Sequence, residues 1–211
     1  MALSDRSHHW DDVYETRNEI DLTWFEAKPT LSVELIRKHA ALSDPVIDVG
    51  GGTSRLVDCL GDTGYRTVTI LDLSDVGMNV SKRRLGPRAD QVRWVTADVT
   101  RWPPDQTYAL WHDRAVFHFL TTEDDRKAYV TTMLSALRDG GKAIIMTFAE
   151  DGPEKCSGLP VMRYSPAELI EMIEAIAPGA LSLVESQKHV HVTPKGNEQR
   201  FQVSVLEKTG R

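Results

Sequence analysis

The stretch VIDVGGGTSRLVDCL, residues 46–60, decides the fold. Val46 to Val49 read as a short buried strand, Gly50, Gly51 and Gly52 follow, and a helical pattern then opens where Thr53 or Ser54 can cap it. Consecutive glycines let the backbone come close to a ligand and leave the first amides of the helix pointing at it. The junction therefore predicts a nucleotide-like ligand at the carboxyl end of a strand in an open α/β sheet. A dinucleotide fingerprint needs a third glycine three residues after Gly52, where Arg55 stands, and no phosphate-loop lysine motif is present. A ligand without a pyrophosphate suits the loop better.

Working outward, short β-branched runs alternate with helical patterns, the signature of βαβ units. Strands are expected at Val46–Val49, Thr67–Leu71, Val92–Thr96, Tyr108–Trp111 and Lys142–Phe148. Helices are expected near residues 53–61, 75–85, 122–138 and 165–177, the third ending at Asp139-Gly140-Gly141 as a glycine cap. Two further strand patterns, Ala180–Val192 and Arg200–Glu207, are separated only by TPKGNEQ. So short a link permits an antiparallel hairpin and no parallel crossover. The expectation is a doubly wound α/β domain over residues 43–211, with a mostly parallel seven-stranded sheet closed by that hairpin. Residues 1–42 form an N-terminal helical cap over its active site. The hairpin and Arg55 both argue against a nicotinamide-dependent reductase.

The whole chain of 211 residues fits one domain with an extension, and its net charge of -6 offers no basic footprint for nucleic acid. The basic run Lys82-Arg83-Arg84 reads as the solvated last turn of a helix. No apolar run reaches the ~20 residues that span a bilayer, so no membrane partner is expected. Cys59 and Cys156 give neither a disulfide framework nor a metal spacing. A cytoplasmic monomer or weak dimer without a metal is the expectation.

S-adenosyl-L-methionine has three handles, a ribose diol, an ammonium beside a carboxylate, and an adenine. Asp72, ending the second strand in TILDLS, can accept from both ribose hydroxyls. Asp48, two residues before the loop, can orient its amides and take the ammonium directly or through water. Asp98, in TADVTRW, can accept from the adenine amino group while Val99 offers its amide. Each acid alone has a competing role as a turn or cap residue, and their recurrence at three successive strand ends favours the ligand. Leu73 and Arg55 join this candidate set, and so does His112. Trp10, Tyr14 and Trp24 either cover the ligand or staple the N-terminal segment to the domain.

Residues 45–150 resemble the Rossmann-like class I methyltransferases, with Asp48-Val49-Gly50-Gly51-Gly52 as their glycine motif, Asp72 as the ribose acid and Asp98 as the adenine-side acid. The departure from the pattern is Gly51, where many relatives carry a bulkier residue. The resemblance implies methyl transfer from S-adenosylmethionine, with S-adenosyl-L-homocysteine as product.

At the reacting end, ALWHDRAVFHFLTTEDDRKAYV puts His112, Asp113, Arg114 and His118 at or past the carboxyl end of the fourth strand. His112 is the candidate general base, against a structural role for it, and Asp113 and Arg114 either line the mouth or pair with each other. His118, in FHF, reads as packed between aromatics. His189 and His191 share a strand face, but the sequence places no third metal ligand near them. The acceptor pocket is expected between the N-terminal helix, the His112 to Arg114 turn and the Gly152 to Arg163 loop. Cys156 in that loop is either a soft nucleophile or an ordinary thiol.

WHDRAVFHFLTTEDDRKAYV with GPEKCSGLPVMRYSPAEL resembles the thiopurine methyltransferase-type enzymes, which implies a small thiol or selenol acceptor near Asp113 and Arg114. HWDDVYE with TWFE and GGGTSRLVDCLGDTGYRTVTILDLS resembles the methyltransferases that modify lysines of elongation factors and citrate synthase, which implies a protein substrate. Asp113-Arg114-Ala115 stands where those enzymes usually carry aspartate-lysine-glycine. A cofactor-binding regulator without turnover is the reading outside the enzymes.

Overall fold

A computed structural model describes residues 3–210 of the chain. Five strands, β1 (Val46–Val49), β2 (Val68–Asp72), β3 (Val92–Thr96), β4 (Tyr108–Arg114) and β5 (Leu137–Phe148), form the parallel part of the main sheet. A two-residue pair, β6 (Lys155–Cys156) and β7 (Leu159–Pro160), stands apart, and β8 (Leu181–Val192) and β9 (Glu198–Lys208) complete the main sheet antiparallel. The main sheet runs β3-β2-β1-β4-β5-β9-β8. The order reverses between β1 and β4, and the carboxyl ends of the strands flanking that reversal are where open sheets take ligands.

Helices α1 (Leu3–Thr16), α2 (Thr30–His39), α3 (Leu56–Thr63), α4 (Asp75–Leu85), α5 (Glu123–Ala136) and α6 (Pro166–Ile176) cover the sheet. On one face Leu35 and Ile36 of α2, Leu60 of α3 and Met78 of α4 pack on Val46 and Ile70. On the other, Tyr129 and Met133 of α5 and Leu169 of α6 pack on Ile47, Trp111 and Ile145. Burial of both faces accounts for the apolar runs of β1 and β2. No helix among the described residues is long and apolar enough to cross a membrane.

Local chemistry sets several boundaries. Ser74 caps α4 and Thr122 caps α5, while Ser165 and Glu168 form a full capping box on α6. Helix α3 begins at Leu56, later than expected, with Arg55 at its N-cap and Ser54 Oγ accepting from the Leu56 amide at 3.1 Å. Asp139-Gly140-Gly141 is no helix cap. Helix α5 stops at Ala136 and β5 starts at Leu137, so Gly140, at φ +73°, sits in an irregularity of the strand where β5 slips register against β4. The hairpin turns through Thr193 to Asn197 with Gly196 at φ +82°.

Candidate active site

The carboxyl ends of β1 to β4 open into a cavity of about 380 Å³, closed from above by α1 and by the β6–β7 hairpin. Gly50 sits at φ +71°, and a Cβ there would lie 2.1 Å from Val116 Cγ2, so no side chain is tolerated at this point of the loop. A Cβ on Gly52, at φ +34°, would meet the Tyr14 hydroxyl at 2.7 Å and Asp72 Oδ2 at 3.1 Å. The glycines thus hold a cradle between Tyr14, Asp72 and the end of β4.

Asp72 lines this cavity, and its Oδ1 accepts from the Ser74 amide at 2.8 Å. Burial pushes its carboxyl up to about 7, against backbone hydrogen bonds from Ser74 and Gly52, with the Asp48 and Asp11 charges adding to the rise. In Asp98, Oδ1 accepts from the Thr100 amide at 2.8 Å and the Thr100 hydroxyl at 2.7 Å, while buried Oδ2 has no partner among the described residues. The turn role thus occupies only one of the two carboxylate oxygens. Leu73, Val99, Trp10, Tyr14, Trp24 and Gly50 also line the cavity. Trp10 meets Trp24 and Phe119 edge-to-face at centroid distances of 5.8 and 5.2 Å.

Other predicted residues stand elsewhere. Asp48 lies beneath the loop, with Oδ1 2.7 Å from His112 Nδ1 and Oδ2 buried without a partner. His112 is buried and spends its other nitrogen on Ser32 Oγ at 3.0 Å, so it faces α2 rather than the cavity and is not placed to take a proton from an acceptor. Asp113 is also withdrawn from the cavity: it accepts from the Val116 and Phe117 amides and, at 2.5 Å, from the Tyr129 hydroxyl, which fixes the turn after β4. It does not pair with Arg114. Burial raises the Asp113 carboxyl to about 6, opposed by those hydrogen bonds. Arg55 points away from the cavity into an ion pair with Glu19, its guanidinium over Phe25. Gly51 is packed from behind the loop, where a Cβ would meet Ile70 Cγ2 at 2.6 Å and Asp48 Oδ2 at 2.9 Å.

Arg114 alone of the proposed catalytic trio lines the cavity, donating to the Trp24 carbonyl at 3.0 Å and to Glu26 Oε1 at 2.9 Å. His118 lies between Phe119 and Phe148, and burial holds its imidazole down to about 3, so it is neutral. His191 is bound to Glu26 Oε1 and to the Thr23 carbonyl. Cys156 lines the cavity as a thiol, pushed up to about 12 by burial with Arg114 pulling the other way.

One supporting residue escaped the sequence reading. Arg84 is no solvated helix end: it donates to the Thr53 carbonyl at 3.1 Å, the Ser54 carbonyl at 2.8 Å, Asp58 and Glu19, clamping the outgoing side of the glycine turn. Ser81 Oγ donates to the Gly52 carbonyl at 2.7 Å and completes the clamp.

The Oδ2 atoms of Asp48 and Asp98, buried without partners among the described residues, the glycine cradle and the Asp72 carboxylate at the end of β2 fit S-adenosylmethionine. Sheet order and site together define a class I methyltransferase fold, the kind that uses this methyl donor. Residues 46–141 match the family model described as "Methyltransferase domain", so this part of the chain is a methyltransferase domain, and the chain has the class I methyltransferase fold. The mouse eEF1A lysine and N-terminal methyltransferase is 24% identical over 149 residues, 67% of this chain and 21% of that protein. The chain thus spans about a fifth of the length of the curated relatives it matches first. Burkholderia thailandensis 1,6-didemethyltoxoflavin-N1-methyltransferase, solved with 1,6-didemethyltoxoflavin and S-adenosylhomocysteine, superposes with a TM-score of 0.70 at 21% identity, over 99% of this chain and 87% of that one. A structure described as the conversion of a disulfide bond into a thioacetal group during echinomycin biosynthesis gives 0.75 at 19% identity, over 96% and 93%.

Proposed function

We propose that the chain transfers the methyl group of S-adenosylmethionine to a small, apolar, polarisable nucleophile, a thiol or selenol, producing S-adenosylhomocysteine. The observation that carries this reading is the apolar share of the cavity lining, supplied by Trp10, Trp24, Phe119, Cys156, Leu159 and Pro160. When bound, the cofactor would supply a sulfonium methyl as the group to be displaced. His112 and His118, the histidines near the turn after β4, are both withdrawn into hydrogen bonds or aromatic packing. A thiol or selenol, which gives up its proton to solvent more readily than an alcohol or an ammonium, suits such a wall best if it ionises before it is enclosed, and the residues' duty is alignment and exclusion of water. At about 380 Å³ the cavity is near the lower end of the ~300–1,000 Å³ usual for ligand sites, which favours a compact acceptor beside the cofactor.

A protein amine is the second reading, favoured by the mouse relative's name and 24% identity. Incubation with methyl-labelled S-adenosylmethionine, small thiols and selenols, small amines and cell protein tests both. Labelled methyl sulfide or selenide, formed together with S-adenosylhomocysteine and only when a small thiol or selenol is present, supports the first reading. Label confined to protein overturns it, and binding without turnover on any acceptor would leave a cofactor-binding regulator.

A further inference from the structure

We infer that Arg114 binds the amino-acid carboxylate of the cofactor, and so belongs to the cofactor site rather than to the acceptor. This rests on the cofactor reading above. The last paired residues of β1 and β4 are Val49 and Asp113, so the next positions, Gly50 and Arg114, emerge side by side at the switch point, and both line the cavity. Side chains alternate along a strand, which puts Arg114 on the face of His112 and Asp48 and sends Asp113 to the opposite face, against Tyr129. The ammonium and carboxylate of the cofactor hang from one carbon. An ammonium beside the Asp48–Gly50 turn therefore brings the carboxylate next to the residue alongside Gly50.

The guanidinium has donors to spare. Of five N–H groups, the bonds to the Trp24 carbonyl and Glu26 use one from each terminal nitrogen. Those bonds aim the fork, and a carboxylate is its natural bidentate partner. Arg6, the other arginine lining the cavity, is tied at 2.6 Å to Asp125 at the start of α5, on the far side of the turn after β4.

The test is a cycle of ligands and variants read by calorimetry, using S-adenosylhomocysteine, its decarboxylated analogue and 5′-methylthioadenosine, which lacks the amino-acid end. In the native protein, removing the ligand carboxylate should weaken binding by about 10- to 100-fold, the loss expected for a charge-assisted pair. Arg114→Gln should weaken S-adenosylhomocysteine by the same factor, leave 5′-methylthioadenosine unchanged, and show no further loss for the decarboxylated analogue. Equal binding of the first two ligands by the native protein overturns the inference without any variant, so a failure of Arg114→Gln to fold does not shelter it. The same coupling appearing in Arg6→Gln instead, or equal losses for all ligands in Arg114→Gln, overturns it too. Binding of none of the three by the native protein would sink the cofactor reading itself, and the inference with it.

Discussion

His112 and Asp48 face each other across the β1–β4 pair, with Nδ1 and Oδ1 2.7 Å apart and both side chains buried. A histidine that holds a strand-end acid from beneath is a positioning residue. His112→Ala leaves Asp48 Oδ1 dry and unpaired and should cost about 1–3 kcal/mol of stability, read from a urea midpoint shift. Once saturated with cofactor, the variant should keep turnover within tenfold of the native protein. A general base is worth about 10²- to 10⁴-fold, so a loss of that size would return His112 to the chemistry.

Asp72 gives a pH dependence. Its folded carboxyl is raised to about 7 by burial, so folding takes up a proton and this group's contribution to stability falls as pH rises from the ordinary carboxylate range through about 7. Accepting from both ribose hydroxyls needs the ionised form, so binding runs the other way. S-adenosylhomocysteine affinity should rise with pH up to about 7, by no more than about tenfold per unit, and level off above. Calorimetry in buffers of different ionisation enthalpy should detect proton release at pH 6, and Asp72→Asn should abolish it. Asp72→Ala should weaken binding by about 1–3 kcal/mol.

Strand ends were readable because their signals are local. The glycine loop, Asp72 and Asp98 each sit within a few residues of an apolar run, and the hairpin followed from a link too short for a crossover. Whether a strand-end residue faces a cavity or a covering helix depends on pleat and register. Those set Asp113 against Tyr129 and His112 against Ser32, contacts 16 and 80 residues apart in sequence. Arg55 and Arg84 were misread for the same reason: Glu19, which joins them, lies 36 and 65 residues away and outside every motif. The start of β5 was hidden because Leu137 continues the apolar pattern of α5.

Arg84 ties α4 to the loop through two carbonyls and two carboxylates. With 17% of its side chain exposed, it is more than a surface ion pair. Arg84→Gln strands Asp58, leaves Glu19 with Arg55 alone and should destabilise the protein by about 1–3 kcal/mol. Because the carbonyls of Thr53 and Ser54 are released, S-adenosylhomocysteine affinity should fall as well. Arg83→Gln in the same helix turn serves as the control and should shift neither. Loss of stability with unchanged affinity would mean that the clamp does not shape the loop.

Gly77, in the first turn of α4, shows how the N-terminal helix is seated. A Cβ there would lie 2.7 Å from two ring carbons of Tyr14, yet the residue is helical and free of backbone strain. Alanine is otherwise favoured over glycine in a helix by about 0.5–1 kcal/mol, so Gly77→Ala sets helix propensity against the seat of Tyr14. In the native background Gly77→Ala should push the ring off the glycine cradle and weaken S-adenosylhomocysteine binding. In a Tyr14→Ala background the clash is gone, and the same substitution should be neutral for binding and slightly stabilising. That non-additivity is what a direct contact requires. Equal effects in the two backgrounds would mean that Tyr14 does not close over the cradle, and that α1 is held there by Trp10, the Arg6–Asp125 ion pair and the Ser74–Asp11 hydrogen bond instead.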